Sequence, residues 1–159
     1  PMFAPDAPDG PVPDDVVDAV VAVLSDWARG PGGWAEGRQD GPGRPVGVVT
    51  VASTRHPVLV ESLGARIAEV GRLPLLGRVE YASGGPPGGA GSNSAQRVRA
   101  LVGAFTVPDP LAEELARTPG PVLLVDDLTD TGWTLAITAR ELRRAGATAV
   151  LPLVLAVRG

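Results

Sequence analysis

The chain has 159 residues, of which 44% are hydrophobic and 20% are charged, and this composition is typical of one soluble globular domain with a hydrophobic core. It contains no cysteine, no lysine and one histidine, which excludes disulfides, thiolate zinc sites, histidine metal clusters and lysine chemistry. The net charge of −4 argues against a broad nucleic-acid surface, and no apolar run approaches the roughly 18 residues of a membrane span, so we expect a cytoplasmic protein without a membrane partner.

The N-terminal region combines a Pro/Asp/Ala-rich lead-in with one amphipathic segment. Residues 1–13 are predicted to form a tail or linker, and residues 14–159 a single domain. Because the chain begins with Pro rather than Met, we interpret it as a piece excised from a longer protein. Residues 14–29 have apolar side chains at helical spacing and are predicted to be a helix, with Trp27 in the core or under a lid. Trp34, in the Gly/Pro-rich loop that follows, either anchors that loop or meets a partner.

The first predicted strand, residues 46–51, leads through a short polar loop into a helix. Pro57 is favourable at the first position of that helix, which we expect to continue to about Val70. A polar loop between a strand and a helix N-terminus is an arrangement that binds anions. The candidate anion ligands are Ser53, Thr54 and Arg55. The neighbouring His56 is expected to be a helix-cap or loop residue rather than a catalyst.

The middle and the end of the chain contain weaker signals. Residues 75–81 are predicted to be a short strand, and residues 83–91 a flexible Gly/Pro loop. Residues 111–117 are predicted to be a short helix and residues 149–156 a last apolar strand.

The most informative stretch, residues 122–135, has four apolar residues followed by two carboxylates, a polar loop and the start of a helix. The apolar run is typical of a strand buried on both faces, with Asp126 and Asp127 where that strand should end. The helix is expected to continue to about Ala145 and to stop at Gly146. The loop between strand and helix is Asp130, Thr131, Gly132, Trp133 and Thr134.

These residue types point to a sugar phosphate. Hydroxyl groups, a glycine and the free N–H groups of a helix N-terminus suit a phosphate. Asp126 and Asp127 would repel a phosphate, but they suit sugar hydroxyls or a magnesium ion. A ligand that has a phosphate at one end, a diol in the middle and a metal nearby is a ribose phosphate.

Residues 122–134, Val-Leu-Leu-Val-Asp-Asp-Leu-Thr-Asp-Thr-Gly-Trp-Thr, resemble the phosphoribosyl pyrophosphate motif of type I phosphoribosyltransferases. A Walker A loop is excluded because it requires a lysine. Residues 96–105, Gln-Arg-Val-Arg-Ala-Leu-Val-Gly-Ala-Phe, resemble a segment of the competence-protein-F-like branch, although Ala100 stands where that branch has Asn. The chain looks most similar to the phosphoribosyltransferase-like domain at the C-terminus of bacterial RecQ-type DNA helicases.

The resemblance implies an α/β fold with a central parallel sheet flanked by helices. A small hood, formed by the N-terminal segment and residues 71–105, would cover the site, and the loop at residues 83–91 would close over it or be a surface insertion. The implied reaction transfers the phosphoribosyl group of phosphoribosyl pyrophosphate to a nitrogenous base with Mg²⁺. The alternative is a module that senses phosphoribosyl pyrophosphate or a nucleoside monophosphate, attached to a helicase domain in the same parent chain. Either form is compatible with a homo-oligomer.

The resemblance also assigns roles to individual residues. Ser53, Thr54 and Arg55 would bind the pyrophosphate, and residues 130–134 the 5-phosphate. Asp126 and Asp127 would hold the ribose hydroxyls and, through water, the metal ion. Asp130 is a poor phosphate ligand, so it either caps the following helix or exchanges a proton with the base. The chemical role of Asp130 favours a purine.

Overall fold

The structure is a computed structural model that describes residues 7–35, 39–83 and 94–158. The sequence order of elements alternates between helices and strands. The helices are α1 (Asp14–Arg29), α2 (Pro57–Gly71), α3 (Ser94–Leu101), α4 (Asp109–Arg117) and α5 (Trp133–Ala145). The strands are β1 (Gly47–Val51), β2 (Leu75–Tyr81), β3 (Phe105–Thr106), β4 (Pro121–Thr129) and β5 (Ala149–Val157).

The strands form one five-stranded sheet in the order β3-β2-β1-β4-β5. The pairs β1–β2, β1–β4 and β4–β5 are parallel, and only the short β3 is antiparallel to its neighbour β2. The predicted α/β class with a central parallel sheet and flanking helices is therefore confirmed. Because β1 and β4 are adjacent and parallel, the loops that follow them lie at the same edge of the sheet.

The two faces of the sheet carry separate hydrophobic clusters. Successive side chains of a strand point to opposite faces, so Val48 of β1 packs towards α1 and α2 while Val49 packs towards α4 and α5. In the same way, Leu123 and Val125 of β4 join the first cluster and Leu124 joins the second. The continuous apolar runs in β1 and β4 thus reflect burial on both faces.

The close approach of α2 to the sheet depends on Gly64. A Cβ atom added to Gly64 would clash with the Thr50 Cγ2 atom. Gly64 therefore lets α2 lie directly on β1, and this contact helps to position the loop that joins the two elements.

Two predicted elements differ from the structure, and a third falls outside its described residues. The strand β4 continues to Thr129, so Asp126 and Asp127 lie inside the strand and not at its end. Residues 75–81 are the predicted strand, but they belong to the main sheet beside β1 and are not part of a hood. The predicted flexible loop at residues 83–91 lies outside the described residues from residue 84 onward.

Residues 7–13, predicted to belong to a tail, are docked on α2. The Asp9 carboxylate accepts hydrogen bonds from the backbone N–H groups of Val58 (2.9 Å) and Leu59 (3.0 Å). The Val12 N–H donates to Ser62 Oγ at 2.8 Å, and the Val12 side chain is buried in the first cluster. We call residues 7–13 the N-terminal strap.

The two N-terminal tryptophans have different environments. Trp34 packs against the first cluster, which favours the anchoring role for it. Trp27 is 44% exposed and lines a groove between α1 and β5, so the prediction that it lies in the core is wrong. None of the helices in the described residues has the length and apolar character that crossing a membrane requires.

Candidate functional site

A cleft of about 320 Å³ lies at the carboxyl ends of β1, β2 and β4. It joins the polar loop after β1 to the two carboxylates of β4 and to the first turn of α5. Parallel strands place ligand sites at this edge of a sheet. The cleft is lined by Val51, Ala52, Ser53, Thr54, Arg55, Tyr81, Asp126, Asp127, Leu128, Thr134 and Arg158.

The loop after β1 is held by a short-range hydrogen bond. The His56 backbone N–H donates to Ser53 Oγ at 3.0 Å, which folds residues 53–56 into a tight turn before α2. Thr54 and Arg55 are exposed and line the cleft. All three predicted anion ligands of this loop therefore lie at the cleft.

The carboxylates of Asp126 and Asp127 have different partners because they are neighbours on one strand. The pleat of β4 directs Asp127 towards the face that carries α2, where its Oδ2 atom lies 2.5 Å from Nδ1 of His56. Asp126 points towards the opposite face, and its Oδ1 atom accepts the backbone N–H of Asp127 at 2.9 Å. Both residues are 6% exposed, and both line the cleft.

Burial controls the ionisation of Asp126. Removal from water disfavours the charged carboxylate, and the side chain and negative charge of Asp127 act in the same direction, so the pKa of Asp126 rises to about 8 although the Asp127 backbone N–H opposes the shift. Tyr81, which stacks on Phe105 with ring centroids 5.0 Å apart, has a raised pKa because of burial and, secondarily, because of the two nearby carboxylates. Burial and the neighbouring carboxylates thus disfavour the anionic forms of both Asp126 and Tyr81 at the inner wall of the cleft.

The loop before α5 turns on Gly132, whose φ of 78° lies in the left-handed region that glycine adopts readily. The Gly132 N–H donates to Thr129 Oγ1 at 3.1 Å. Thr134 lines the cleft, whereas Asp130 and Thr131 are exposed and are not among the lining residues. Trp133, the first residue of α5, is 43% exposed.

The capping role proposed for Asp130 is not present in the described structure. Gly132 occupies the N-cap position of α5, and no side chain makes a capping hydrogen bond there. The first-turn N–H groups of α5 are therefore not taken by the carboxylate of Asp130.

The N-terminus of α2, which was expected to bind an anion, is already occupied by a side chain of this chain. Asp9 of the N-terminal strap occupies the N–H groups of Val58 and Leu59. An anion bound in the cleft would therefore use the residue 53–55 loop rather than the first turn of α2.

Sequence reasoning does not identify three residues that line or border the cleft. His56 is buried against Asp127, and Tyr81 and Arg158 approach from the ends of β2 and β5. The position of His56 directly after the β1 loop was a usable signal, because it is the single histidine of the chain. Tyr81 is the last residue of β2, and Arg158 directly follows β5. The sequence does not predict where these two strands lie in the sheet, so no sequence pattern places either residue near the carboxylates.

The donor set of the cleft fits a magnesium ion that arrives with its ligand. Magnesium is commonly held by one or two carboxylates together with phosphate oxygens and water rather than by an all-protein cage. Asp126 and Asp127 supply the carboxylates. Within the described ranges, no group of three His, Cys, Asp or Glu side chains is arranged to hold a metal ion alone.

Comparison with known proteins gives a likeness at the level of structure. No protein-family model and no curated protein matches the sequence. Among solved structures, the chain is similar to the purine phosphoribosyltransferase from Pyrococcus horikoshii Ot3, with 19% sequence identity and a TM-score of 0.49 over 91% of this chain and 71% of that chain.

Proposed function

We propose that this domain binds phosphoribosyl pyrophosphate with Mg²⁺ and transfers the phosphoribosyl group to a nitrogenous base, with a purine as the favoured base. The observation that carries the proposal is the cleft, in which the residue 53–55 loop, Asp126, Asp127 and Thr134 line one space. The volume of the cleft, about 320 Å³, is within the range of small-molecule sites.

The residues divide the ligand between them. Ser53, Thr54 and Arg55 would bind the pyrophosphate, with Arg55 giving charge-assisted hydrogen bonds. Asp126 and Asp127 would bind the ribose hydroxyls, and Thr134 with the residue 130–133 backbone would bind the 5-phosphate.

The expected chemistry is the cleavage of the bond between the ribose C1 and the pyrophosphate and the formation of a bond from C1 to a nitrogen of the base. Positive charge develops on the sugar as the pyrophosphate leaves, and the Asp127 side chain lies in the cleft to stabilise that charge. Magnesium would neutralise the leaving pyrophosphate when it is bound. Arg55 stabilises the same leaving group from the protein side.

A second candidate function is a sensor that binds phosphoribosyl pyrophosphate or a nucleoside monophosphate without turnover, as a module beside a helicase domain. The absence of lysine from the sequence favours it, because purine enzymes of the resembled family commonly use a lysine to contact the base. The two candidates share the ligand site and differ only in whether a base reacts.

Thermal unfolding tests both candidates at once. A ligand at a hundred times its dissociation constant adds about 2.7 kcal/mol to the free energy of unfolding. For a chain of this length that corresponds to a rise of about 5–10 °C in Tm. We expect this rise with millimolar phosphoribosyl pyrophosphate and MgCl₂, and we expect Asp127→Asn to reduce it.

An unchanged Tm under these conditions would reject both candidates. If the Tm rises, release of pyrophosphate in the presence of a panel of purine and pyrimidine bases separates them. Turnover with any base supports the enzyme, and binding with no turnover on the whole panel supports the sensor.

A further inference from the structure

We propose that His56 is a positioning residue that holds the Asp127 carboxylate in place for the ribose hydroxyls and connects it to the pyrophosphate loop. The inference deepens the proposed function and rests on it. It arises from one residue that contacts both halves of the cleft, through its backbone on one side and its ring on the other.

The ring contact restrains Asp127. His56 is 8% exposed and Asp127 is 6% exposed, and Nδ1 lies 2.5 Å from Oδ2. An ionised carboxylate only accepts hydrogen bonds, so the proposed role requires that Nδ1 carry the hydrogen in this contact. A buried charge-assisted hydrogen bond of this length selects one rotamer of Asp127 and uses one of its two oxygens. Asp127 held in this way lines the cleft in which a ligand would lie.

The backbone contact restrains the loop after β1. The His56 N–H donates to Ser53 Oγ, so the position of the His56 backbone determines where the loop hydroxyl lies. His56 is also the N-cap residue of α2, which packs on the sheet at Gly64. A rigid helix therefore sets the position of His56, and His56 transmits that position to Ser53 and Asp127.

The topology explains why a residue of the first half of the chain positions a carboxylate of the second half. His56 and Asp127 are 71 residues apart, and they meet because β1 and β4 are adjacent and parallel. Only the odd-numbered side chains of this part of β4, such as Val125 and Asp127, point to the α2 face. Asp126 cannot make the same contact without reversing the pleat.

The test uses two substitutions that differ in one hydrogen-bond donor. The side-chain nitrogen of Asn is attached to Cγ, as Nδ1 is in histidine, so His56→Asn can retain the donor to Asp127. His56→Leu fills a similar volume without a donor. Neither substitution changes the backbone bond to Ser53. Circular dichroism and Tm establish that each variant folds.

The first readout is the binding of ribose 5-phosphate and of inorganic pyrophosphate, each with MgCl₂, by calorimetry. We expect His56→Leu to lower the affinity for ribose 5-phosphate by about tenfold or more, as the loss of a charge-assisted contact would. We expect its affinity for pyrophosphate to fall by less than about threefold. We expect His56→Asn to bind both within about threefold of the original chain.

The second readout is a double-mutant cycle. If His56 acts through Asp127, then His56→Leu has no further effect on ribose 5-phosphate once Asp127→Asn is present. Additive losses overturn the proposal, and so does equal weakening by His56→Asn and His56→Leu.

The third readout uses the fact that the chain has one histidine, so that ¹⁵N NMR reports one imidazole. We expect the Nδ1–H tautomer and a changed Nδ1 signal in Asp127→Asn, whereas Glu113→Gln, which removes one negative charge from an exposed position on α4, leaves the signal unchanged. If the imidazole signal of the ligand-free protein is the same in Asp127→Asn as in the original chain, the proposal is overturned.

The outcomes distinguish this inference from the proposed function. If the original chain binds neither ribose 5-phosphate nor phosphoribosyl pyrophosphate, the proposed function fails, and the positioning role fails with it. If the original chain binds ribose 5-phosphate and His56→Leu binds it equally well, the positioning role alone fails.

Discussion

At the scale of single residues, the site depends on two adjacent aspartates that are chemically identical and structurally different. Asp127 is paired with His56. Asp126 points to the opposite face of the sheet, and burial raises its pKa. The pleat of β4 produces the difference, because it sends consecutive side chains to opposite faces. A carboxylate pair on a loop would not be separated in this way.

Substitution of Asp126 by Asn should stabilise the protein above pH 4. The folded-state pKa of about 8 exceeds the unfolded value of 3.8, so the folded protein holds a proton that the unfolded chain loses. The free energy of unfolding of the original chain should therefore fall as pH rises between about 4 and 8, by on the order of 1 kcal/mol per pH unit, and then level off.

Asn mimics the protonated carboxyl, so Asp126→Asn should remove this dependence, as measured by urea unfolding at several pH values. Asp130→Asn, which removes a carboxylate from an exposed position, should follow the original curve. Parallel curves for the Asp126 variant and the original chain would contradict the assignment of the titration to Asp126.

Substitution of Arg55 by Ala should weaken the binding of pyrophosphate and leave the binding of ribose 5-phosphate unchanged. Arg55 lines the cleft from the loop after β1. The loss of one charge-assisted contact is worth roughly 1.5–3 kcal/mol, or about tenfold to a hundredfold in affinity. Calorimetry with the two ligands measures the split, and Arg140→Ala, on the exposed side of α5, is the matched control. Equal weakening of both ligands would mean that Arg55 does not face the pyrophosphate.

Substitution of Asp130 by Asn tests its remaining chemical role. Because no side chain caps α5, the substitution should leave the Tm unchanged. If Asp130 exchanges a proton with the base, turnover should fall by about a hundredfold or more while binding of phosphoribosyl pyrophosphate stays within about threefold. Retention of full turnover in an active enzyme would show that the exposed carboxylate takes no part in the chemistry.

At the scale of elements, the N-terminal strap is anchored to α2, although its Pro/Asp/Ala-rich composition predicts a tail or linker. Its carboxylate and its one buried valine attach it to α2, the helix that carries His56 at its N-cap. Negative charge at a helix N-terminus is favourable, so Asp9 satisfies donors that would otherwise need water or a ligand. Because Asp9 accepts these hydrogen bonds, the N–H groups of Val58 and Leu59 do not contribute to anion binding in the cleft.

Substitution of Asp9 by Ala should lower the free energy of unfolding by about 1 kcal/mol, the usual value of an N-cap. It should also speed hydrogen exchange at the amides of Val58 and Leu59, which lose their acceptor. Asp18→Ala, an exposed position within α1, controls for the change in charge. Unchanged exchange at both amides would mean that the strap does not cap α2 in solution.

At the scale of the whole molecule, the cleft exists because the sheet order brings β1 beside β4. The two polar loops are far apart in sequence and share one edge of the sheet. The same order places β2 and β5 on either side, so that Tyr81 and Arg158 complete the cleft walls. The fold class that the resemblance implies agrees with this architecture, and so do most of the predicted element bounds, which depend on local hydrophobic patterns.

Local patterns in the amino-acid sequence predict the strand-loop-helix units, whereas the α/β class and the ligand roles of the two polar loops are what the resemblance to type I phosphoribosyltransferases implies. Periodicity, Pro57 and Gly146 mark these units locally, so predicting the units requires no tertiary information. The pairing of His56 with Asp127, the docking of Asp9 on α2 and the exposure of Asp130 follow from the tertiary structure. These contacts depend on sheet order and on the pleat of β4, which join residues about fifty to seventy positions apart and leave no local pattern in the chain.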